Sequence, residues 1–315
     1  MGAVGPPGVP GSGLGGFFNP LKVAMQWWYN AGSQSFQTNS IGNSKAITFD
    51  GANIWVVGTP SDFSSVGLFK IQSADGSPLL YVPLGGWSIA GLSFDGQNIW
   101  ASKGSGKVAK VQASNGAVLG EYSTGPWPWK IIFDGANIWV SDIQDGTLVK
   151  LRAIDGVNLG TFPMNPANAM TFDGRNIWMG AYDSGYFLYK IRADDGNVLD
   201  TISLNKDVAC LTYDGTNIIV GLTDGRICLV HASEGGILGH INTGINYSSR
   251  DIIFDGENIW ILYDLVFPDQ NNLVKIRCAD SVVLGTFKTP PNPQNLAFDG
   301  VKIWVLSHDG RVAVY

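Results

Sequence analysis

The chain has 315 residues, of which 45% are hydrophobic and 15% charged, and it contains 41 glycines and 15 prolines. This mixture predicts a turn-rich β protein with a sizeable core, and the net charge of −6 disfavours a nucleic-acid partner or an anionic membrane surface. No apolar run is long enough to span a membrane, no Sec-type signal is recognisable, and the three cysteines (Cys210, Cys228 and Cys278) have no metal-type spacing.

The first segment, residues 1–18, is rich in glycine and proline. From Gly2 to Gly11 every third residue is glycine, with proline at several of the positions between. Only glycine fits at the axis of a triple helix, so this period favours a collagen-like segment held in register by neighbouring trimeric parts. A flexible Gly/Pro linker is the alternative.

Residues 19–34 predict a short helix followed by a linker. Asn19 is the N-cap, Pro20 takes the first helical position and Gly32 lies just past the end. Trp27 and Trp28 lie on the apolar part of this helix. They either dock on the rim of the following domain or form an oligomer contact, since both arrangements bury the same surface.

The third segment, residues 35–315, repeats one phrase seven times. The first copy runs from Ile47 to Trp55 with the sequence ITFDGANIW, and the other copies end in tryptophan except for Ile219. The copies begin at residues 47, 92, 131, 170, 211, 252 and 296. A period near 40 residues predicts one four-stranded blade per repeat and therefore an all-β, seven-bladed propeller.

Each repeat contains signals for four strands, A to D. Strand A ends at Asp-Gly-x-Asn, strand B contains Ile-Trp-Val, strand C alternates apolar and long polar residues, and strand D follows a second turn. The last repeat supplies only three strands before Tyr315. We therefore expect Phe36–Ile41 to pair with Arg311–Tyr315 and close the ring, which removes an unpaired sheet edge.

Residues that recur in every blade are interpreted as structural. We expect the aspartates of the Asp-Gly turns to cap backbone N–H groups and the strand-B tryptophans to pack between blades. The basic residues of strand C are interpreted as a solvated blade edge, and His231 as the occupant of a lysine-type position in blade 5. The lysines of this set are Lys70, Lys110, Lys150, Lys190 and Lys275, and the arginines are Arg152, Arg192 and Arg277.

Departures from the repeat are the candidates for function. The D–A and B–C connections of a propeller lie on one face, here called the connection face, and several of them carry unusual aromatic or polar residues. The candidate ligand-binding residues are Trp87, Trp127, Trp129, Tyr182, Asp183, Tyr186, Tyr247 and Arg250. Aromatic rings beside polar groups are typical of sugar-binding sites, although aromatic loops also fold back over a core.

The positions three residues before the phenylalanine or tyrosine of each phrase should surround the channel mouth. Most of them are small, while Lys130, Asp251 and Asn295 are polar and are interpreted as a salt-bridged plug. Because this trio is too sparse for an active site, the sequence predicts no catalytic, cofactor-binding or metal-binding residue.

The repeats resemble the superfamily of NHL-type, YVTN-type and streptogramin-lyase-like propellers. The resemblance implies a seven-bladed propeller over residues 35–315. Its lyase branch would imply a catalytic histidine paired with a glutamate and a divalent metal. None of His231, His240 and His308 has a glutamate nearby in a matching motif. Enzymes, sensors and adhesins all use this fold.

The whole arrangement resembles phage tail fibres and other virion appendages, in which short Gly-X-Y segments lead into receptor-binding β domains. We therefore expect a non-enzymatic structural or binding protein, most readily a virion or extracellular surface-appendage adhesin. Its partner would be a cell-surface glycan or protein receptor, bound through one propeller face, and its N-terminal segment would form a homotrimer. The alternatives are a protein-binding scaffold and a lyase-like enzyme.

Overall fold

The computed structural model describes residues 34–37, 44–60, 65–86, 88–181, 185–264 and 271–315. Within these ranges the chain forms 28 strands in seven four-stranded antiparallel sheets, which confirms the predicted all-β, seven-bladed propeller. No helix in the described part of the chain is long and apolar enough to cross a membrane. The predicted Gly-X-Y segment and the helix with Trp27 and Trp28 lie outside the described residues.

The strands follow the predicted order A-B-C-D in each blade. Blades 1 and 2 contain β2 (Ile47–Phe49), β3 (Asn53–Gly58), β4 (Gly67–Gln72), β5 (Pro78–Pro83), β6 (Ile89–Phe94), β7 (Asn98–Lys103), β8 (Lys107–Gln112) and β9 (Val118–Ser123). Blades 3 and 4 contain β10 (Pro128–Phe133), β11 (Asn137–Asp142), β12 (Thr147–Arg152), β13 (Asn158–Pro163), β14 (Ala167–Phe172), β15 (Asn176–Ala181), β16 (Phe187–Arg192) and β17 (Val198–Ser203). Blades 5 and 6 contain β18 (Val208–Tyr213), β19 (Asn217–Leu222), β20 (Ile227–His231), β21 (Ile237–Ile241), β22 (Ser249–Phe254), β23 (Asn258–Tyr263), β24 (Asn271–Arg277) and β25 (Val283–Lys288). Blade 7 contains β26 (Pro293–Phe298), β27 (Ile303–Ser307), β28 (Arg311–Val314) and β1 (Gln34–Gln37).

The A–B turns are held by their aspartates, as the sequence predicts. In blade 1, Asp50 Oδ1 accepts hydrogen bonds from the backbone nitrogens of Ala52 (2.9 Å) and Asn53 (2.6 Å). Gly51 has φ of +89°, a left-handed conformation that side chains disfavour. The same carboxylate cap recurs at Asp95, Asp134, Asp173, Asp214, Asp255 and Asp299. These aspartates are therefore turn residues in all seven blades.

The core consists of apolar clusters between adjacent blades. Trp139 of blade 3, which is fully buried, packs with Ile177 and Ile191 of blade 4. The corresponding tryptophans of blades 2 and 7 pack in the same way against blades 3 and 1. The predicted role of the strand-B tryptophans in inter-blade packing is thus confirmed.

The same tryptophans belong to a polar arrangement, here called the clasp. Trp139 Nε1 donates to Asp134 Oδ2 (2.7 Å), and Lys150 Nζ lies 5.2 Å from the centre of the Trp139 ring. Lys150 Nζ also reaches into blade 4 and donates to the carbonyl oxygens of Ala193 (2.7 Å) and Asp194 (3.0 Å). Lys70, Lys110 and Lys190 make equivalent bonds to the blades that follow theirs. Each clasp therefore joins a blade to its neighbour.

The clasp contradicts the interpretation of the strand-C lysines as a solvated edge. Lys110, Lys150, Lys190 and Lys275 are buried, with 6 to 9% of their surface exposed. The prediction was wrong because an indole face and backbone carbonyls of the next blade compensate the buried ammonium, and sequence alternation does not reveal them. For the arginines it was right, since Arg152, Arg192 and Arg277 are about half exposed and pair with aspartates three residues later.

Blade 5 lacks the clasp and replaces it with another contact. Its strand-B position is Ile219, and the residue opposite is Leu229, so Leu229 occupies the lysine-type position. His231 instead pairs with Asn217, the arginine-type position, and its predicted placement was wrong. Asp214 Oδ2, deprived of an indole donor, accepts a hydrogen bond from Cys278 Sγ of blade 6 at 3.1 Å. Blades 5 and 6 are therefore joined by a thiol.

The ring is closed by both ends of the propeller segment. β1 is the outermost strand of blade 7 and pairs antiparallel with β28, with Phe36 opposite Val312. Ring closure by an N-terminal strand is thus confirmed, although the described strand begins two residues earlier than the sequence predicts. Lys302 adds a clasp across the same junction, since its Nζ donates to Ser73 O of blade 1 at 3.2 Å.

Loss of β1 should destabilise the ring. A chain that begins at residue 44 exposes the edge of β28, whereas a chain that begins at residue 34 keeps the fourth strand of blade 7. We expect the shorter chain to melt at least about 5 °C lower and to aggregate more readily. Calorimetry of the two truncated chains tests this, and equal midpoints would contradict the closure.

Removal of one clasp ammonium should cost far more stability than removal of a nearby surface charge. Lys150→Met keeps the aliphatic stem but leaves two carbonyl oxygens without their donor, which we expect to cost about 1–3 kcal/mol. Arg152→Met, two residues along the same strand, removes an exposed ion pair and should leave stability nearly unchanged. Urea denaturation measures the free energy of unfolding of both variants, and similar losses of that free energy would mean that the clasp is not stabilising.

Cys278 should make stability depend on pH at the alkaline end. Burial, and then its hydrogen bond to Asp214, raise the pKa of Cys278 to about 12 from an ordinary value of 9.0. The folded state therefore keeps a proton that the unfolded state releases, so this stabilisation is complete below about pH 9 and is lost as the pH rises towards 12. Cys278→Ser retains a donor without titrating in this range. From about pH 8 to about pH 11 the natural chain should lose more unfolding free energy than Cys278→Ser; parallel profiles would exclude this role.

Candidate functional site

The connection face is built by one recurring backbone contact. The residue that follows strand B donates its N–H to the carbonyl of the residue that precedes strand A of the same blade. Examples are Gly104 N to Ser88 O at 2.8 Å and Asp264 N to Ser248 O at 2.9 Å. The corresponding pairs in blades 3, 5 and 7 are Ile143 with Trp127, Thr223 with Asp207, and His308 with Asn292. B–C turns and D–A connections thus form one bonded rim on which side chains can vary.

Two of the predicted aromatic residues lie where blade 3 begins. Trp127 is half-buried, and its backbone nitrogen donates to Asp142 Oδ2 at 2.6 Å. Asp142 is almost fully buried and also accepts from the backbone of Gln144 and Asp145, so a fixed carboxylate anchors Trp127. Trp129, also half-buried, belongs to β10 and not to the connection. Sequence reasoning missed the role of Asp142, although no other blade has an aspartate at this position.

Tyr186 has the most unusual conformation on this face. It precedes strand C of blade 4 and has φ of +62°, in the left-handed region that a bulky residue rarely adopts. Its carbonyl accepts from Leu204 N, just as the carbonyls of Gly106 and Gly146 accept from the equivalent connections of blades 2 and 3. Those two positions also have positive φ. A tyrosine, 45% exposed, therefore stands where blades 2 and 3 place glycine.

Tyr247 and Arg250 lie where blade 6 begins. Tyr247 is 42% exposed in the connection between β21 and β22. Arg250, on β22, forms an ion pair with Asp264 (3.1 Å) and donates to Gln294 Oε1 of blade 7. The structure thus links Arg250 to two residues that the sequence did not single out. Trp87, Tyr182 and Asp183 lie outside the described residues.

A central cavity of about 150 Å³ lies among the innermost strands. All seven residues predicted to surround the channel mouth line it, and we call them the channel ring. They are Ala46, Gly91, Lys130, Ala169, Cys210, Asp251 and Asn295. The alignment of the repeats alone was therefore sufficient to locate the channel.

The predicted salt bridge across the channel is not formed. Asp251 Oδ2 accepts hydrogen bonds from Leu296 N (2.7 Å) and Asn295 Nδ2 (3.3 Å), and its Oδ1 accepts from Ile252 N (3.0 Å). Within the described part of the chain the ammonium of Lys130 forms no ion pair. The prediction was wrong because residues of blades 6 and 7 already satisfy the carboxylate, whereas Lys130 lies in blade 3.

Asp251 and Lys130 nevertheless both act electrostatically on Cys210, another residue of the channel ring. Burial raises the pKa of the Cys210 thiol well above its ordinary value; Asp251 adds to this rise and Lys130 opposes it. Cys210 is therefore a protonated, unreactive thiol at neutral pH. A nucleophilic role for it has no support in this geometry.

The described residues contain no group of three or more His, Cys, Asp or Glu side chains placed to hold a metal ion. His231 Nδ1 lies 3.0 Å from Ser233 Oγ, on an exposed turn. The site thus presents exposed rings, amides and charges, which suit binding by stacking and hydrogen bonding.

The chain matches no protein-family model and no curated protein. Its structure defines it as a seven-bladed β-propeller with blade-specific residues on one face.

Proposed function

We propose that the protein is a non-enzymatic binding protein that holds a glycan or protein receptor on the connection face of its propeller. Tyr186 carries the argument. The equivalent turns of blades 2 and 3 use glycine, which adopts the left-handed conformation without strain, whereas an L-tyrosine there costs free energy. Because nearly half of the residue remains exposed, burial of the side chain offsets only part of this cost. Such retained strain is typical of a residue kept for contact with a partner.

The neighbouring blades supply further contact groups on the same face. Tyr247 is similarly exposed, and Arg250 is oriented by Asp264 and Gln294. Exposed tyrosines combine a π face with a hydroxyl, and an oriented guanidinium adds directed donors. This combination fits the hydroxyl groups and C–H faces of a sugar, and we favour a glycan over a protein receptor for that reason.

The biological setting of the proposal comes from the sequence alone. The Gly-X-Y period of residues 2–13 and the resemblance to tail fibres support a trimeric virion fibre or surface-appendage adhesin. The resemblance to NHL-type, YVTN-type and lyase-like propellers is compatible with adhesion, since that superfamily includes adhesins. A trimer would present three connection faces and strengthen attachment through avidity.

Tyr186→Gly separates binding from folding. Glycine is the residue of the equivalent turns in blades 2 and 3, so we expect thermal stability to be equal or slightly higher, because the strain at φ +62° is relieved. Combined with Tyr247→Ala, it should abolish attachment to cells and to a glycan array. Leu238→Ala, at an exposed residue of the outermost strand of blade 5, is the control and should attach normally.

Normal attachment by the Tyr186→Gly, Tyr247→Ala chain would contradict the proposed face. Binding to a cell-surface protein after complete removal of glycans would favour the protein-receptor alternative. Because several copies on one fibre mask a weak single-site defect, the assay must include the isolated propeller, residues 34–315, alongside the full chain.

A further inference from the structure

The innermost strands carry a second ring of residues beside the channel ring. We call it the mouth ring, because each member immediately precedes a channel-ring residue, towards the connection face. Its members are Lys45, Ala90, Trp129, Asn168, Ala209, Arg250 and Gln294. Ala90 also lines the cavity, and the bond from Arg250 to Gln294 joins the equivalent positions of adjacent blades. Ala90 is the member of this ring that reaches the cavity, and the other members lie one residue from the channel ring along strand A, on the side of the connection face.

The charges of the two rings are unequally satisfied. Asp251 accepts three hydrogen bonds from its own blade and the next, and Arg250 is paired with Asp264. In contrast, the ammonium groups of Lys130 and Lys45 have no hydrogen-bond or ion-pair partner within the described residues. The free binding capacity of the channel entrance is thus cationic, although the chain as a whole has a net charge of −6.

The size of the cavity limits what reaches Lys130. A volume of about 150 Å³ corresponds to about five water molecules. It accommodates a carboxylate group with a few further atoms, whereas a whole acidic sugar is larger than the benzene-sized ligand that a cavity of this volume holds. A ring attached to that carboxylate would remain at the entrance, where Trp129 and Asn168 are partly exposed and Asn168 offers an amide group. Stacking on an indole is the usual contact for a sugar ring.

We propose that the channel entrance binds an acidic sugar, whose carboxylate enters the channel beside Lys130 while its ring lies against Trp129. The inference rests on the proposed function and deepens it by naming the ligand class. Lys130 forms the charge-assisted hydrogen bond, since its ammonium does not donate to Asp251, whose three hydrogen bonds come from other groups. Lys45, which has no ion-pair partner within the described residues, adds positive charge at the entrance and favours an anion over a neutral sugar.

The repeat itself supplies the variant that tests this proposal. Ala46 and Ala169 hold the position of Lys130 in blades 1 and 4, so Lys130→Ala fits the fold. Calorimetric titration of the full chain with glucuronate should show binding that weakens about tenfold or more in Lys130→Ala and also weakens with added salt. Lys206→Ala, an exposed lysine on the connection face of blade 4, is the matched control and should bind as the natural chain does.

Glucose and acetate are the comparison ligands. The proposal requires that both bind more weakly than glucuronate, since one lacks the carboxylate and the other the ring. Equal binding of glucose, or unchanged glucuronate affinity in Lys130→Ala, would overturn it. Equal binding of acetate would overturn the sugar and leave a site for small free carboxylates.

The outcome can be told apart from that of the adhesion test. If attachment depends on Tyr186 and Tyr247 but glucuronate does not bind, the channel inference fails while the proposed function stands. If glucuronate binds through Lys130 but the tyrosine variants attach normally, the function assigned to the face fails while the channel site stands. Thermal midpoints and circular dichroism of each variant, expected to match the natural chain, exclude misfolding as the cause.

Discussion

A lysine ammonium held between an indole ring and the backbone carbonyls of the next blade is the interaction on which the rest of this propeller depends. Burying a charge is costly unless it is fully compensated. Here Lys110, Lys150 and Lys190 each lie over a tryptophan of their own blade and donate to two carbonyls of the following one. The contact is directional along the chain, so each blade that carries the clasp depends on carbonyl oxygens of the following blade to compensate its buried lysine. The same lysine and tryptophan atoms therefore stabilise the blade itself and its junction with the next blade.

The location of these contacts explains where side chains can vary between blades. The clasp, the turn aspartates and the apolar clusters occupy the blade interiors and the turn face, so substitutions there disturb two blades at once. On the connection face the recurring contact between B–C turn and D–A connection uses backbone atoms only. A side chain such as Trp127, Tyr186 or Tyr247 can therefore be introduced in one blade without any change in its neighbours.

The fold was predictable because it is repeated, and the errors have the same origin. Seven aligned phrases located every A–B turn, the inter-blade tryptophans and the channel ring without any structure. Burial of Lys150 was not predictable, because the carbonyl oxygens that accept its hydrogen bonds lie on another blade, the first of them 43 residues away. The contact that replaces the clasp in blade 5 was not predictable either. Cys278, which donates to Asp214 in place of the missing indole, lies 64 residues away in the sequence. For the candidate site, the sequence supplied the unusual residues but not the partners of Arg250 or the backbone conformation of Tyr186.

Ring closure has a consequence for the order in which the protein can be made. Gln34 pairs with Val314, so the first strand of the propeller waits for its partner while the intervening 279 residues are synthesised (314 − 34 − 1). The entropic cost of joining such distant segments grows only with the logarithm of the loop length, but the unpaired strand is available throughout that time. Two chains growing side by side can exchange this strand with every ladder hydrogen bond retained, which produces a linked pair of rings. Chains that grow close together are therefore the ones in which this strand exchange competes with closure of each separate ring.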